Sequence, residues 1–182
     1  MKVALLPSAA LAGAAAIVLG LGVAVPLDPT ANVISDYGLA ASTATFYAVS
    51  VALLVLGGTT AFAGLPVGVT LRLWQAGLAL CVIFPTNRTS TDSTFAGELH
   101  RIGGGLALVC LPLAGWQVAR ALDAAQIGTW TATAVAASIL FGLAQFSWTP
   151  LTDVRGLLER VALAAQIGLL LVIAHAPRRR LA

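Results

Sequence analysis

Six apolar runs, at residues 4–26, 44–64, 68–85, 101–119, 128–148 and 157–175, follow one another with hardly a charge inside them. About 20 residues of helix cross the hydrocarbon core of a bilayer, and each run approaches or exceeds that length. Inside lipid every backbone amide must find its partner within the protein, which for such runs means helices. Composition agrees. Only 9% of the residues are charged and 59% are hydrophobic, with a mean hydropathy of +0.94. A soluble domain carries about 25% charged residues, so this chain cannot clothe a water-facing surface. The sequence predicts an all-α polytopic bundle, one integral membrane domain over residues 1–182 with six transmembrane helices.

The first run has an alternative reading as a secretory signal, since Lys2 precedes an apolar stretch ending in small residues. The stretch from Val3 to Leu27 is long for a signal core, and Pro26 sits awkwardly for the cleavage site. A retained helix is expected, with five spans as the alternative. Orientation follows from the cations. With the N-terminus inside, Lys2, Arg72, Arg120, Arg178, Arg179 and Arg180 fall on the inner face, and Arg88, Arg101, Arg155 and Arg160 on the outer. The acids divide more sharply, because Asp123 alone lies inside while Asp28, Asp36, Asp92, Glu98, Asp153 and Glu159 lie outside. The prediction is N-in and C-in. The arginine tail reads as an anchor beside anionic lipid. There is no basic face with interleaved aromatics, so nucleic acid is not an expected partner. The alanine-rich, lysine-poor composition reads as bacterial, in the plasma (inner) membrane, and the glycosylation triplet at Asn87 is discounted on that ground.

Inner links, near 65–67 and 120–127, are short. The outer links, 27–43, 86–100 and 149–156, hold most of the remaining polar chemistry, and longer loops are where binding groups tend to reside. Three of them echo one another: "DPTANVISDYG", "FPTNRTSTDST" and "WTPLTDVRG" each place proline and threonine past an outward helix, with an aspartate following. Chance explains so few matched letters better than a repeat does.

The candidate catalytic residues are His100, Asp36, Glu159 and Arg160; the candidate binding residues are Ser35, Tyr37, Asn87 and Asp153. His100 is the one outer residue that titrates near neutral pH unperturbed. With Asp36 or Glu98 beside it, it would serve as general acid or base; the plainer alternative is a capping histidine. Arg160 lies a full turn inside its helix and is expected to turn inward onto Asp36 or Asp153. Glu159 points elsewhere, toward headgroups. The competing structural reading is an interfacial salt-bridge lattice locking three loops, since acids at helix N-termini are favoured by the helix dipole anyway. His175 reads as interfacial packing. Cys81 and Cys110 fall at different depths in their spans and read as apolar packing residues, not a disulfide. With one outer histidine and both thiols elsewhere, no metal site and no cofactor are expected. The glycines suit close helix packing, while Gln75, Gln145 and Gln166 are expected to face the bundle interior and bond between helices.

Taken in order, "ISDYG" after the first span, "FPTN" closing the third, a histidine opening the fourth and "GLLERV" opening the sixth resemble the domain-of-unknown-function 998 family. Its members are small, mostly bacterial membrane proteins of about six helices. The resemblance covers nearly the whole chain and marks Ser35, Asp36, Gly38, Phe84, Pro85, His100, Gly156, Glu159 and Arg160. It implies a fold and site positions but no activity. The family pattern has an aspartate after "FP-x" where this chain has Asn87, which can hydrogen-bond but carries no charge; Asp92 is the possible substitute.

Three functions are weighed. The first is a membrane-embedded protein that binds an apolar or lipid-like small molecule at its outer end, or acts on it by acid–base chemistry. The second is a small transporter or channel component, which needs a polar file through the membrane that three glutamines do not supply. The third is an accessory subunit, in a homo-oligomer or with a membrane partner. Membrane lipid is a partner in each.

Overall fold

The computed structural model describes residues 5–25, 27–87, 94–146 and 148–177. The expectations placed on Lys2, Arg88, Asp92 and the three tail arginines lie outside the described residues. Six α-helices make up most of the rest: α1 (Leu5–Ala24), α2 (Ala41–Ala61), α3 (Gly68–Ile83), α4 (Phe95–Leu122), α5 (Ala125–Leu143) and α6 (Arg155–His175). Short 3-10 turns, Ile34–Gly38 and Pro150–Val154, precede α2 and α6. Among the described residues there is no strand. All the helices but α3 are long and apolar enough to cross a membrane, giving five candidate spans, while α3 is apolar with 16 residues. The protein has the make-up of a multi-pass membrane protein.

Helix ends differ from the apolar runs for a physical reason. Charges end an apolar run, but they need not end a helix. The α4 helix takes in Glu98, Arg101 and Arg120 and reaches 28 residues. It starts where the Thr94 hydroxyl accepts the Gly97 N–H at 3.0 Å. It stops where Asp123 adopts a left-handed φ of 48°, a conformation aspartate tolerates better than most side chains. The Ala124 N–H then returns to the Ala119 carbonyl at 3.0 Å. The link between α4 and α5 thereby shrinks from the expected 120–127 to residues 123–124.

The tightest pairs are α3 with α4, α1 with α2 and α5 with α6; α6 also touches α1, α2 and α4. The glycines explain the closest approach. A Cβ on Gly77 would stand 2.6 Å from the Gly103 carbonyl, and one on Gly103 would stand 2.6 Å from the Gly77 carbonyl. With no hydrophobic drive between helices in lipid, such backbone proximity supplies the association. The main core gathers Leu11, Trp74, Leu111, Leu169 and Leu170, all fully buried. A second cluster of Val18, Leu21, Ile34, Tyr37 and Tyr47 lies beneath the first loop.

The glutamines divide. Gln75 donates to the Thr59 hydroxyl at 2.7 Å and ties α3 to α2. Gln166 is buried, and its Nε2 has no partner among the described residues. Gln145 does not face inward. It is exposed just past the end of α5, with Nε2 3.4 Å from the Phe141 carbonyl. Gln117, which drew no attention in the sequence, accepts from Thr70 at 3.0 Å between α4 and α3. Cys81 and Cys110 are free and buried.

Candidate functional site

The polar chemistry collects at the end of the bundle where α1, α3 and α5 finish and α2, α4 and α6 begin. Its first part is the loop between α1 and α2. Asp28 accepts the Thr30 N–H at 2.8 Å and its hydroxyl at 2.6 Å, and these bonds hold its carboxyl below the usual carboxylate range. Asp36 is spent in the same local way. One of its oxygens accepts the Val33 N–H at 3.1 Å and the Asn32 amide at 3.2 Å, closing the 3-10 turn. That turn drives Tyr37 into the second cluster, where it is fully buried. Gly38 packs against the Tyr47 ring, whose Cδ1 would be 3.1 Å from a Cβ there.

The second part is the start of α6, which grips this loop. Gly156 makes the grip possible: a Cβ on it would overlap the Asn32 carbonyl oxygen and stand 2.9 Å from the Pro29 oxygen. The Leu157 N–H, one of the unpaired donors of a helix start, bonds the Thr30 carbonyl at 3.0 Å. Arg155 donates from Nε to the Ala31 carbonyl at 3.1 Å. Arg160 does most. Its Nη1 donates to the carbonyls of Pro29 at 2.8 Å, Asn32 at 2.9 Å and Gly156 at 2.9 Å. Its Nη2 donates to the Tyr37 hydroxyl at 3.0 Å, and the guanidinium lies 5.9 Å from the centre of that ring. Glu159 accepts the Ile34 N–H.

Two expectations change here. Arg160 does turn inward, but onto backbone carbonyls and Tyr37 in place of Asp36 or Asp153. Glu159 faces the loop and not the headgroups. The loops are locked as a lattice would lock them, yet by charge-to-backbone hydrogen bonds. Among the described residues the one ion pair is Arg101 with Glu98, at 2.8 Å, exposed and one turn apart.

The third part joins α3 to α4. His100 sits within α4 with its Nδ1 2.9 Å from the Phe84 carbonyl, at the end of α3. A carbonyl only accepts, so Nδ1 carries the proton and a neutral ring keeps its lone pair on Nε2. The His100 carbonyl accepts the Cys81 thiol at 3.6 Å. Asn87 accepts the Thr94 hydroxyl at 2.7 Å and its side chain fills the space a Cβ on Gly97 would need. Since Thr94 also caps α4, Asn87 anchors that helix start.

Structure therefore brings Asp36, Tyr37, Glu159 and Arg160 into one clasp, with Ser35 inside the same turn. His100 and Asn87 stand together at the α3–α4 junction. Asp153 is exposed on the second 3-10 turn. Between the clasp and the junction lies a pocket of about 310 Å³, bordered by Ser35, Thr45, Tyr47, Cys81, Pro85 and Thr86. Ser35 and Pro85 are legible in the sequence, whereas Tyr47, Thr45 and Cys81 are not legible there as pocket residues. Lying within apolar runs, these carried no signal beyond a hydroxyl or thiol one turn from a polar loop.

An apolar, all-helical bundle of membrane type, its opening loop clasped by the charged start of its last helix, is the class these features define. The chain belongs to the family described as "Protein of unknown function (DUF998)", whose model matches residues 8–176. The stretches "ISDYG" and "GLLERV" are the two halves of the clasp. No curated protein and no solved structure matches the chain.

Proposed function

We propose that this is a six-span, N-in and C-in protein of a bacterial inner membrane that binds an apolar or lipid-like small molecule at its extracytoplasmic end. The observation that carries the reading is the pocket of about 310 Å³ between α2 and the end of α3, placed beside the clasp. Its walls are mainly apolar with a few polar groups, the pattern of small-molecule sites. Glu159 and Arg160 act as positioning residues, because they fix the loop that presents Ser35. His100 does not border the pocket, so the reading is one of binding, and the acid–base chemistry expected of His100 is not part of it.

A variant that fills the pocket tests the reading. Ala48 borders it, and Ala48→Trp is expected to lower the amphiphile retained through purification by about tenfold or more, as read by native mass spectrometry. Equal retention in both proteins would sink the pocket as the binding site. In the same measurement His100→Ala is expected to retain the amphiphile, unaltered. Orientation has its own check: a C-terminal tag is expected to be cleaved by added protease in inverted membrane vesicles and protected in right-side-out ones. The opposite pattern rejects C-in.

A further inference from the structure

The chemistry around the pocket narrows what it takes, provided the binding reading above holds. Ser35 and Tyr47 are nine-tenths buried and border the pocket. Neither hydroxyl forms a hydrogen bond among the described residues. An accessible hydroxyl left unpaired in an apolar setting favours a ligand group that can pair with it. Thr45 and Thr86 add two more hydroxyls at the rim.

Charge is what the pocket lacks. Among the described residues bordering it there is no carboxylate, guanidinium, ammonium or imidazole. Among the described residues the cations at this end are engaged elsewhere: Arg160 by three carbonyls and Tyr37, Arg155 by the Ala31 carbonyl, and Arg101 by Glu98. A phosphate or carboxylate headgroup would enter an apolar setting without a counter-charge, at a desolvation cost that neutral hydroxyls do not repay. An uncharged headgroup has no such cost, and hydroxyl-to-hydroxyl bonding suits the lining.

We infer that the ligand class is an uncharged, hydroxyl-bearing amphiphile, such as a long-chain glyceride or alcohol, whose polar end meets Ser35 and Tyr47 while its chain runs out between α2 and α3. Phosphorylated and carboxylated lipids are excluded.

A matched pair of photoprobes tests this. Protein in phosphatidylcholine nanodiscs is irradiated with a diazirine-bearing monoacylglycerol, or with the lysophosphatidate of the same chain, and the labelled peptides are mapped. The neutral probe is expected to label residues 41–61 and 68–83 about tenfold more than the anionic one. Ser35→Ala, a change too small to threaten folding, is expected to lower neutral labelling about threefold or more. Equal or stronger labelling by the lysophosphatidate overturns the uncharged class and leaves the pocket standing. Unchanged labelling in Ser35→Ala overturns the hydroxyl pairing. If neither probe labels these helices above the level seen in Ala48→Trp, the pocket itself falls.

Discussion

Gly156→Ala is expected to destabilise the protein by about 2–4 kcal/mol, even though alanine is the better helix former. The two effects have opposite signs and unequal sizes. Alanine in place of glycine favours a helix interior by about 1 kcal/mol, and less at Gly156, the second residue of α6. Against this stands a collision with main chain. The new methyl would overlap the Asn32 carbonyl oxygen and lie 2.7 Å from its carbon and 2.9 Å from the Pro29 oxygen. A flexible side chain would swing aside, but these atoms belong to a loop fixed by Arg160, Arg155 and the Leu157 amide. The loop must lift, and several hydrogen bonds go with it. Thermal unfolding in detergent measures the loss, and limited proteolysis at residues 27–40 reports whether the loop has lifted. A loss below about 0.5 kcal/mol, the usual range for a neutral surface change, would mean that loop and helix do not depend on each other.

Arg160→Met is the second large effect, expected at about 2–3 kcal/mol. Methionine keeps an apolar stem of similar reach and removes every donor. The carbonyls of Pro29 and Asn32 and the Tyr37 hydroxyl then lose a charged partner, and bonds to charged groups contribute about 1.5–3 kcal/mol each before solvent is considered. The site is only partly buried, so water replaces some of them and the total stays well under their sum. Arg160→Lys is expected to recover less than half of the loss. A single ammonium has no planar fork with which to hold the carbonyls on one side and the tyrosine on the other. Denaturant unfolding of the three proteins gives the order arginine, lysine, methionine; lysine equal to arginine would reduce the clasp to a matter of net charge.

Much of this architecture is legible in the letters, and the limit falls at the backbone. Apolar runs locate all six helices, because lipid forces such runs to be helical. They miss the ends of α4, since Thr94 and Asp123 set those ends by capping and by a left-handed turn. The inward turn of Arg160 follows from its depth in the helix. Its partners do not, because carbonyl oxygens of Pro29 and Asn32 have no sequence signature and a carboxylate is the natural guess. Glu159 bonding the Ile34 amide and His100 facing the Phe84 carbonyl are the same kind of miss. Gly156 stands out in the sequence only through the resemblance that marks it, and its reason, a loop lying against the first turn of α6, exists only in three dimensions. The pocket is half legible: Ser35 belongs to a motif, whereas Tyr47 and Cys81 are hidden inside spans.

The brevity of α3 has a consequence for the lipid around it. At about 1.5 Å per residue, its 16 residues rise about 24 Å, against a hydrocarbon core of about 30 Å. A helix that falls short by several ångströms creates hydrophobic mismatch, which the bilayer relieves by thinning locally. Cys81 and Val82, in the last turn of α3, border the pocket. If α3 spans the bilayer as proposed, the membrane thins along this flank. In the proposed reading an amphiphile held between α2 and α3 would then exchange with the surrounding leaflet over a shortened distance, sideways, without passing through water.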